Sequence, residues 1–547
     1  MSIYASENFT EEEKNKLRPY FTNLEGPVFA LVNLPEVVKG ALFARYSRSG
    51  KSLRRLFLDE FADNWDLYIS EASDKTIGVK RAEKLYETVF LEYGDDSVAQ
   101  LGGVHLACEQ VSNLLTKILE RGRLMSYLEQ STRYIQYDLP LPSGGYRYHR
   151  DPGVLNSSLS DRYINDMDRI FAIYGQLYEQ TNAYLLDTYF PEGGDTATKP
   201  ELRALKALSL DLLRGILPIG TVSNMGIYAS GQAFEQLLLR MMASDLPEAR
   251  SYGEMMKTEL MKVIPDFLSR IDRRERGGVW ADYIADCRHG TQKAVGAVLY
   301  SGKSGNTPVS ASLPTPTPTS IKLVSHDVDG ETKVLEAILF ACTDLSHDEI
   351  KAMLPLDKDK AGAIFDAYVG ERLNRRHKPG RAFESTVYNF EIISDYGAFR
   401  DLQRHRMLTV EWQDPNPDLG FYVPTEIVKA GLDVLYLESV QISVELYHAL
   451  RQNFPFQALY ALPMATNIRY KLELNAREAM HLIELRSSPQ GHPNYRYIAQ
   501  EMYRLIKNEA GHGLIASAMK YTDFSEVQIG RLEAEKRIEN KIDRTDK

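Results

Sequence analysis

Apolar residues Val111, Leu114, Leu115, Ile118 and Leu119 repeat at the i, i+3, i+4, i+7, i+8 spacing of a helix stripe. Ser97, with Gln100 three residues on, reads as a capping box that opens this helix. Two short runs, Val28-Phe-Ala-Leu-Val32 and Ile321-Lys-Leu-Val-Ser325, read as strands, each followed by a helical pattern. Tyr396-Gly-Ala-Phe-Arg-Asp-Leu-Gln403 reads as a helix interior, and Asn475 to Arg486 as a clear helical run. Helices dominate, with some strands between them.

Residues 301–320 break this pattern. Their Pro-Thr alternation favours an extended, semi-rigid connector without a core of its own. The expected division is therefore 1–300, a linker at 301–320, and 321–547. The two parts share residues in order. Arg121 to Gln130 can be laid on Arg404 to Gln413 at an offset of 283. Ile216-Leu-Pro218 lies on Ala461-Leu-Pro463 at an offset of 245, and Arg240 meets Arg486 at 246. Each match alone has the look of chance among Arg- and Leu-rich helices. Three in order read as a duplication, with an insertion in the first half between Tyr134 and Arg214.

Composition narrows the class. The 547 residues are 44% hydrophobic and 26% charged, which excludes a mainly disordered or fibrous chain. A net charge of -10 makes a poor general nucleic-acid binder, although a local basic cleft could still hold phosphates. Cys108, Cys287 and Cys342 are far apart and form no CxxC, which argues against a disulfide framework and fits a reducing cytosol. The polar, acidic N-terminus lacks the features of a signal peptide, and no run of about 18 apolar residues suggests a membrane span. A cytoplasmic location is expected. The eleven His residues show no metal-ligand spacing, and no metal is expected. Walker A, GxGxxG, HExxH and GxSxG motifs are missing.

Three segments could carry chemistry. If Glu129-Gln-Ser131-Thr-Arg133-Tyr134 is extended, positions 129, 131 and 133 share a face. Carboxylate, hydroxyl and guanidinium together can grip a polar ring and a phosphate; a surface strand with a Glu–Arg pair reads the same way. Arg404-His405-Arg406 requires an anion or an acidic neighbour, and a cofactor's phosphates are one partner; a solvated helix end is the other reading. Asn475 and Arg486 fall within about 20° of one another around a helix, facing either a ligand or a neighbouring helix.

These residues resemble the signature of the flavin-dependent thymidylate synthases. The run Arg121-x-Arg-x-x-Ser-x-x-Glu-x-Ser131-x-Arg133-Tyr134 is similar to that family's motif, which opens Arg-His-Arg and closes Ser-x-Arg-Tyr. Arg404-His405-Arg406 resembles its opening, and Asn475-Ala-Arg…His481…Arg486 resembles the family's C-terminal helix. The likeness touches both halves, roughly 27–300 and 321–520. It implies an α/β (α+β) fold, with a mixed sheet and long helices, and homotetramers whose sites lie between subunits. It also implies FAD as cofactor, with NADPH and methylenetetrahydrofolate as co-substrates that convert dUMP to dTMP without a protein nucleophile.

By the same resemblance Arg121, Glu129, Ser131, Arg133, Arg214, Arg240 and Arg486 bind the nucleotide. Glu384, Arg404, His405, Arg406, Asn475 and His481 bind the flavin. The first half departs from the pattern at Gly122, Asp95 and Gln100, and at Ala229 if one deletion is allowed. The second half has Asp414-Pro-Asn416-Pro417 in place of Ser-x-Arg-Tyr, and Leu459 in place of the first phosphate Arg. The first half thus keeps nucleotide residues and the second keeps flavin residues. This reciprocal loss implies a homodimer acting as a pseudo-tetramer, with about one flavin per chain. A flavin enzyme acting on another pyrimidine nucleotide, or a non-catalytic binding paralogue, are the alternatives.

Overall fold

The computed structural model describes residues 4, 7–34, 36–62, 102–140, 144–191, 197–299 and 315–526, with scattered positions from 529 to 539. The frame is two four-stranded sheets. β1 (Val28–Leu31), β2 (Gly103–Ser112), β3 (Met125–Glu129) and β4 (Val222–Ser230) form the first, in the order β1-β2-β4-β3. β5 (Ser320–His326), β6 (Val387–Asp395), β7 (Thr409–Trp412) and β8 (Asn467–Asn475) form the second, in the order β5-β6-β8-β7. The α/β class holds. Where the resemblance implied a mixed sheet, every pairing between these strands is antiparallel.

The duplication is written into the backbone. The strand order repeats, and so does the register. Ser126 faces Tyr228 in the first sheet, and its counterpart Thr409 faces Glu473 in the second. Ser112 faces Val222 as Asp395 faces Asn467. β2 differs by a bulge between Cys108 and Val111, where Gln110 takes a φ of 58°; the β6–β8 ladder runs without a break. The surplus of the first half lies where it was expected. Helices Pro152–Leu155, Ser160–Tyr189 and Lys199–Leu213 separate β3 from β4, against Thr425–Lys429 and Asp433–Arg451 between β7 and β8.

One sequence expectation is overturned. The helix placed from Ser97 onward is only Asn113–Leu119, and Gly103–Ser112 before it is a strand. Val104, Leu106 and Cys108 alternate into the core, and only the last part of the stripe is helical. Ser112 is the true N-cap, accepting from Leu115 N at 3.0 Å. Ser97, Gln100 and Asp95 lie outside the described residues.

The chain forms two compact units, and neither is a continuous stretch. Unit 1 comprises Met1–Gly175, Pro218–Leu313 and Gln441–Leu462; unit 2 comprises Gln176–Leu217, Pro314–Val440 and Pro463–Lys547. Each unit therefore holds a segment from the other half of the sequence, and the two segments are bonded in the same way. In unit 1, Ile219 N donates to Leu462 O at 2.7 Å and Gly220 N to Tyr460 O at 2.9 Å. In unit 2 the counterparts Met464 N and Ala465 N donate to Leu217 O at 2.9 Å and Gly215 O at 2.7 Å.

In unit 1 the sheet is buried on both faces. Val28 and Ala30 join one cluster with the helices Gly231–Met242 and Pro247–Leu260, while Phe29 and Leu31 join another with Phe43, Tyr46 and Phe57. This explains the uninterrupted apolar run of β1. A Cβ on Gly226 would come 2.2 Å from the Phe43 ring, so that position requires glycine. In unit 2 the sheet is one-sided. Tyr388, Phe390, Ile392, Tyr470 and Leu472 are buried, and the other face carries the cross-strand row Lys322–Glu391–Lys471–Glu411.

Residues 301–314 of the expected linker lie outside the described residues. The end that is described packs on unit 2 rather than hanging free. Thr317 N donates to Phe421 O at 3.0 Å, and Thr319 Oγ1 to Asn494 Oδ1 at 2.7 Å. Among the described residues, no helix is long and apolar enough to cross a membrane.

Candidate functional site

β6 and β8 run antiparallel, so the helices that follow them start at opposite ends of the second sheet. Tyr396–Gln403 is capped by Asp395, which accepts from Ala398 N at 2.7 Å. Ala476–Arg486 is capped by Asn475, which accepts from Glu478 N at 2.9 Å. The residues ending the first helix, Arg404 and His405, meet the second. There a continuous polar chain forms.

Asp401 is its hub. Its carboxylate accepts from Arg214 Nη1 at 3.1 Å and Arg404 Nη2 at 2.6 Å, and Arg486 Nη1 lies 3.6 Å away. Arg486 Nε donates to His405 Nε2 at 3.0 Å. His405 Nδ1 is 2.9 Å from Glu478 Oε1, and His481 Nδ1 is 3.3 Å from Glu478 Oε2. Because Arg486 donates to Nε2, the His405 proton sits on Nδ1 and points at Glu478. Burial, with Arg486 beside it, pushes His405 down to about 4. Burial alone would raise Glu478; hydrogen bonds from His405 and His481 outweigh it and hold the carboxyl well below its usual range. Burial also lowers the Arg486 guanidinium.

Three guanidiniums converge on Asp401, the buried Asp395 carboxyl also lies near Arg214, and Arg214 is only 4% exposed. Its Nε and Nη2 have no hydrogen-bond partner among the described residues. A Cβ on Gly397 would lie 3.3 Å and 3.5 Å from those two atoms, so glycine leaves the room that Arg214 occupies.

His405, Glu478 and His481 bring ligand atoms within 4.8 Å of one another, a set that could hold a metal ion. The arrangement suits hydrogen bonding better. Coordination through His405 Nδ1 would force the proton onto Nε2, against the Arg486 donor, and would place a cation beside a guanidinium.

The sequence candidates fall into two groups. Arg214, Arg404, His405, His481 and Arg486 join the chain in unit 2, with Asn475 as its helix cap. Glu384 stands nearby, 3.4 Å from Arg477, and Arg406 is exposed. Arg214, counted with the first half in the sequence, lies in unit 2, and Leu459 takes the matching place in unit 1. Asp401 and Glu478 escaped sequence reading. The signal for Asp401 was its i, i+3 spacing to Arg404, which put an acid beside the cationic row.

Arg121, Glu129, Ser131, Arg133 and Arg240 lie in unit 1. The one-face alternation of 129, 131 and 133 does not form, because β3 ends at Glu129 and the chain turns, with Tyr134 N donating to Ser131 O at 3.2 Å. Glu129 is buried 3.8 Å from Lys117, which also pairs with Glu120. Arg240 has buried Nε and Nη2 atoms without hydrogen-bond partners among the described residues, with Tyr127 and Arg121 near it. Ser230, not Ala229, is the counterpart of Asn475, since both are N-caps ending equivalent strands. Arg240 thus sits one residue earlier in its helix than Arg486 does in its own.

Comparison with known proteins gives consistent matches. The model of the thymidylate synthase complementing protein family matches residues 48–266 and again 322–510. A UPF0159 protein of Chlamydia muridarum is 37% identical over 535 residues, covering 97% of this chain and 98% of that one. A UPF0159 protein of Thermoplasma acidophilum is 30% identical over 529 residues, covering 91% and 98%. Among solved structures, the UMP/dUMP methylase PolB from Streptomyces cacaoi, bound with 5-Br dUMP, is 18% identical at a TM-score of 0.32, covering 38% of this chain and 99% of that one.

Proposed function

Since the chain belongs to the thymidylate synthase complementing protein family, as a duplicated member and a thymidylate synthase-like methyltransferase, we propose that it methylates dUMP to dTMP with bound FAD, using methylenetetrahydrofolate as carbon donor and NADPH as reductant. The observation that carries this reading is the cluster around Asp401, where three guanidiniums converge beside the buried carboxyls of Asp401 and Asp395, and Arg214 keeps two buried donors with no hydrogen-bond partner among the described residues. Buried guanidinium donors without hydrogen-bond partners are groups that a bound anion would satisfy.

The donor set fits a flavin dinucleotide. Arg404 and Arg406 offer cations for its phosphates, and the Asn475 cap engages Oδ1 but leaves Nδ2 to donate. His481 and Glu384 complete the set proposed to hold it. When bound, the flavin supplies the redox chemistry, so the protein's part is binding and orientation. Arg486 is fixed by His405 and Asp401, and so presents its remaining donors in one orientation. Neutral His405 keeps its proton on Nδ1, which holds the relay in register.

Glu129, Ser131, Arg133, Arg121 and Arg240 are proposed to bind the nucleotide. Two chains would act as a pseudo-tetramer, as a soluble cytoplasmic homodimer. The replacement of Ser-x-Arg-Tyr by Asp414-Pro-Asn416-Pro417 favours a second reading, in which the pyrimidine nucleotide is one other than dUMP. Purified protein should be yellow with a flavin spectrum, and should restore growth to a thymidine-requiring strain. A flavin spectrum without rescue would favour the second reading, and a colourless protein that takes up no FAD would refute both.

A further inference from the structure

The chain is acidic overall, yet the loop leading from the helix Lys358–Val369 to β6 carries Arg375, Arg376, Lys378 and Arg381, with Arg477 beside it. Arg375, Arg376 and Arg381 are exposed, and Arg375, Arg376 and Lys378 form no ion pair among the described residues. Among the described residues Arg381 and Arg477 share only Glu384 as an ion-pair partner, at 4.0 and 3.4 Å. Such a run is ordinarily a mobile, solvated loop. This one is clamped.

The clamp is Arg372, whose side chain is 1% exposed. Its Nη1 and Nη2 fork onto Glu484 Oε1 and Oε2 at 2.6 Å each. Its Nε donates to His377 O, its Nη2 to Arg375 O at 3.4 Å, and Tyr521 OH donates to Arg372 O. The loop also closes on itself, with Arg376 N donating to Asn374 Oδ1 at 2.9 Å. At its far end Arg477 Nε donates to Pro379 O at 2.9 Å. Glu484 and Arg477 belong to Ala476–Arg486, the helix that carries Glu478, His481 and Arg486. The basic loop is thus fastened at two points to the helix of the candidate site. Holding unpaired cations in place beforehand removes the ordering cost of binding an anion.

We infer that this rim is a separate anion subsite, which grips the arm of a co-substrate bearing several closely spaced oxyanions while its reactive ring enters the site. The inference rests on the proposed function in assuming a co-substrate. Its ligand chemistry, closely spaced phosphates or carboxylates, is carried by either a dinucleotide phosphate or an oligoglutamyl pterin.

The full-length protein should be titrated by calorimetry with 2′,5′-ADP and with triglutamate, at low and physiological salt. At least one probe should bind, more weakly as salt rises. R375A/R376A should weaken it about tenfold, with flavin content unchanged. Binding of 2′,5′-ADP alone would assign the rim to phosphates, and of triglutamate alone to carboxylates. If neither probe binds, or if the double variant binds as well as the parent, the inference is overturned. Flavin content and strain rescue test the function separately, so failure of either reading is recognisable on its own.

Discussion

Asp401 collects Arg404 at the surface and Arg214 and Arg486 below it, so removing its charge leaves the two covered guanidiniums without the carboxylate they face. Asp401→Asn should cost about 3 kcal/mol of stability, the scale for breaking a buried pair at one partner. Urea unfolding would show it as a lower midpoint at an unchanged slope. His405 gives a pH signature. Its folded value of about 4 lies below the usual 6.5, so between these pH values the unfolded chain binds the extra proton. The His405 contribution is complete above pH 6.5 and is lost as pH falls toward 4, by at most about 3 kcal/mol. His405→Gln should flatten the stability profile across that window; an unchanged slope would show that His405 does not titrate there. At this scale the cationic row Arg404-His405-Arg406 was legible, and its need of an acid was too. Which acids answer it was not, because Asp401 and Glu478 look like ordinary polar positions of a helix until the two helices are brought together.

At the scale of elements the two copies solve one problem with opposite chemistry. In unit 1 the N-cap Ser112 meets a buried carboxylate, with Oγ bonded to Glu248 Oε2 at 2.5 Å and N to Oε1 at 2.8 Å. In unit 2 the counterpart cap is the carboxylate, Asp395, and its partner is the amide of Asn494. Burial raises the Asp395 carboxyl. Ser112→Asp alone would set two buried acids together and should cost about 3 kcal/mol; adding Glu248→Gln should recover most of it, as thermal melts of both variants would report. Strands β1 and β5 were legible as short apolar runs, and the helix Ala476–Arg486 as a periodic one. β2 was misread because Val111, Leu115 and Leu119 satisfy a helical period while Val104, Leu106 and Cys108 satisfy a strand. Its pairing with β1 and β4, distant in sequence, decides between them.

For the whole molecule, repeated motifs made the duplication visible, and the repeated strand order and register match it. The placement of Arg214 in unit 2 was invisible, because membership of a unit depends on contacts that no motif records. The reciprocal loss of motifs predicts about one flavin per chain in a dimer. Absorbance of released flavin against protein concentration, with light scattering for the mass, would check this; two tightly held flavins per chain would count against it.

The segments 176–217 and 441–462 each belong to the unit built mainly from the other half. A gene divided between residues 300 and 315 would therefore make two polypeptides, each short of a segment that completes its own unit. Expressed singly they should be insoluble or poorly structured; made in the same cell they should copurify as a folded pair. On that outcome the fusion serves less to hold the halves together than to fix their ratio, since every molecule made carries one copy of each.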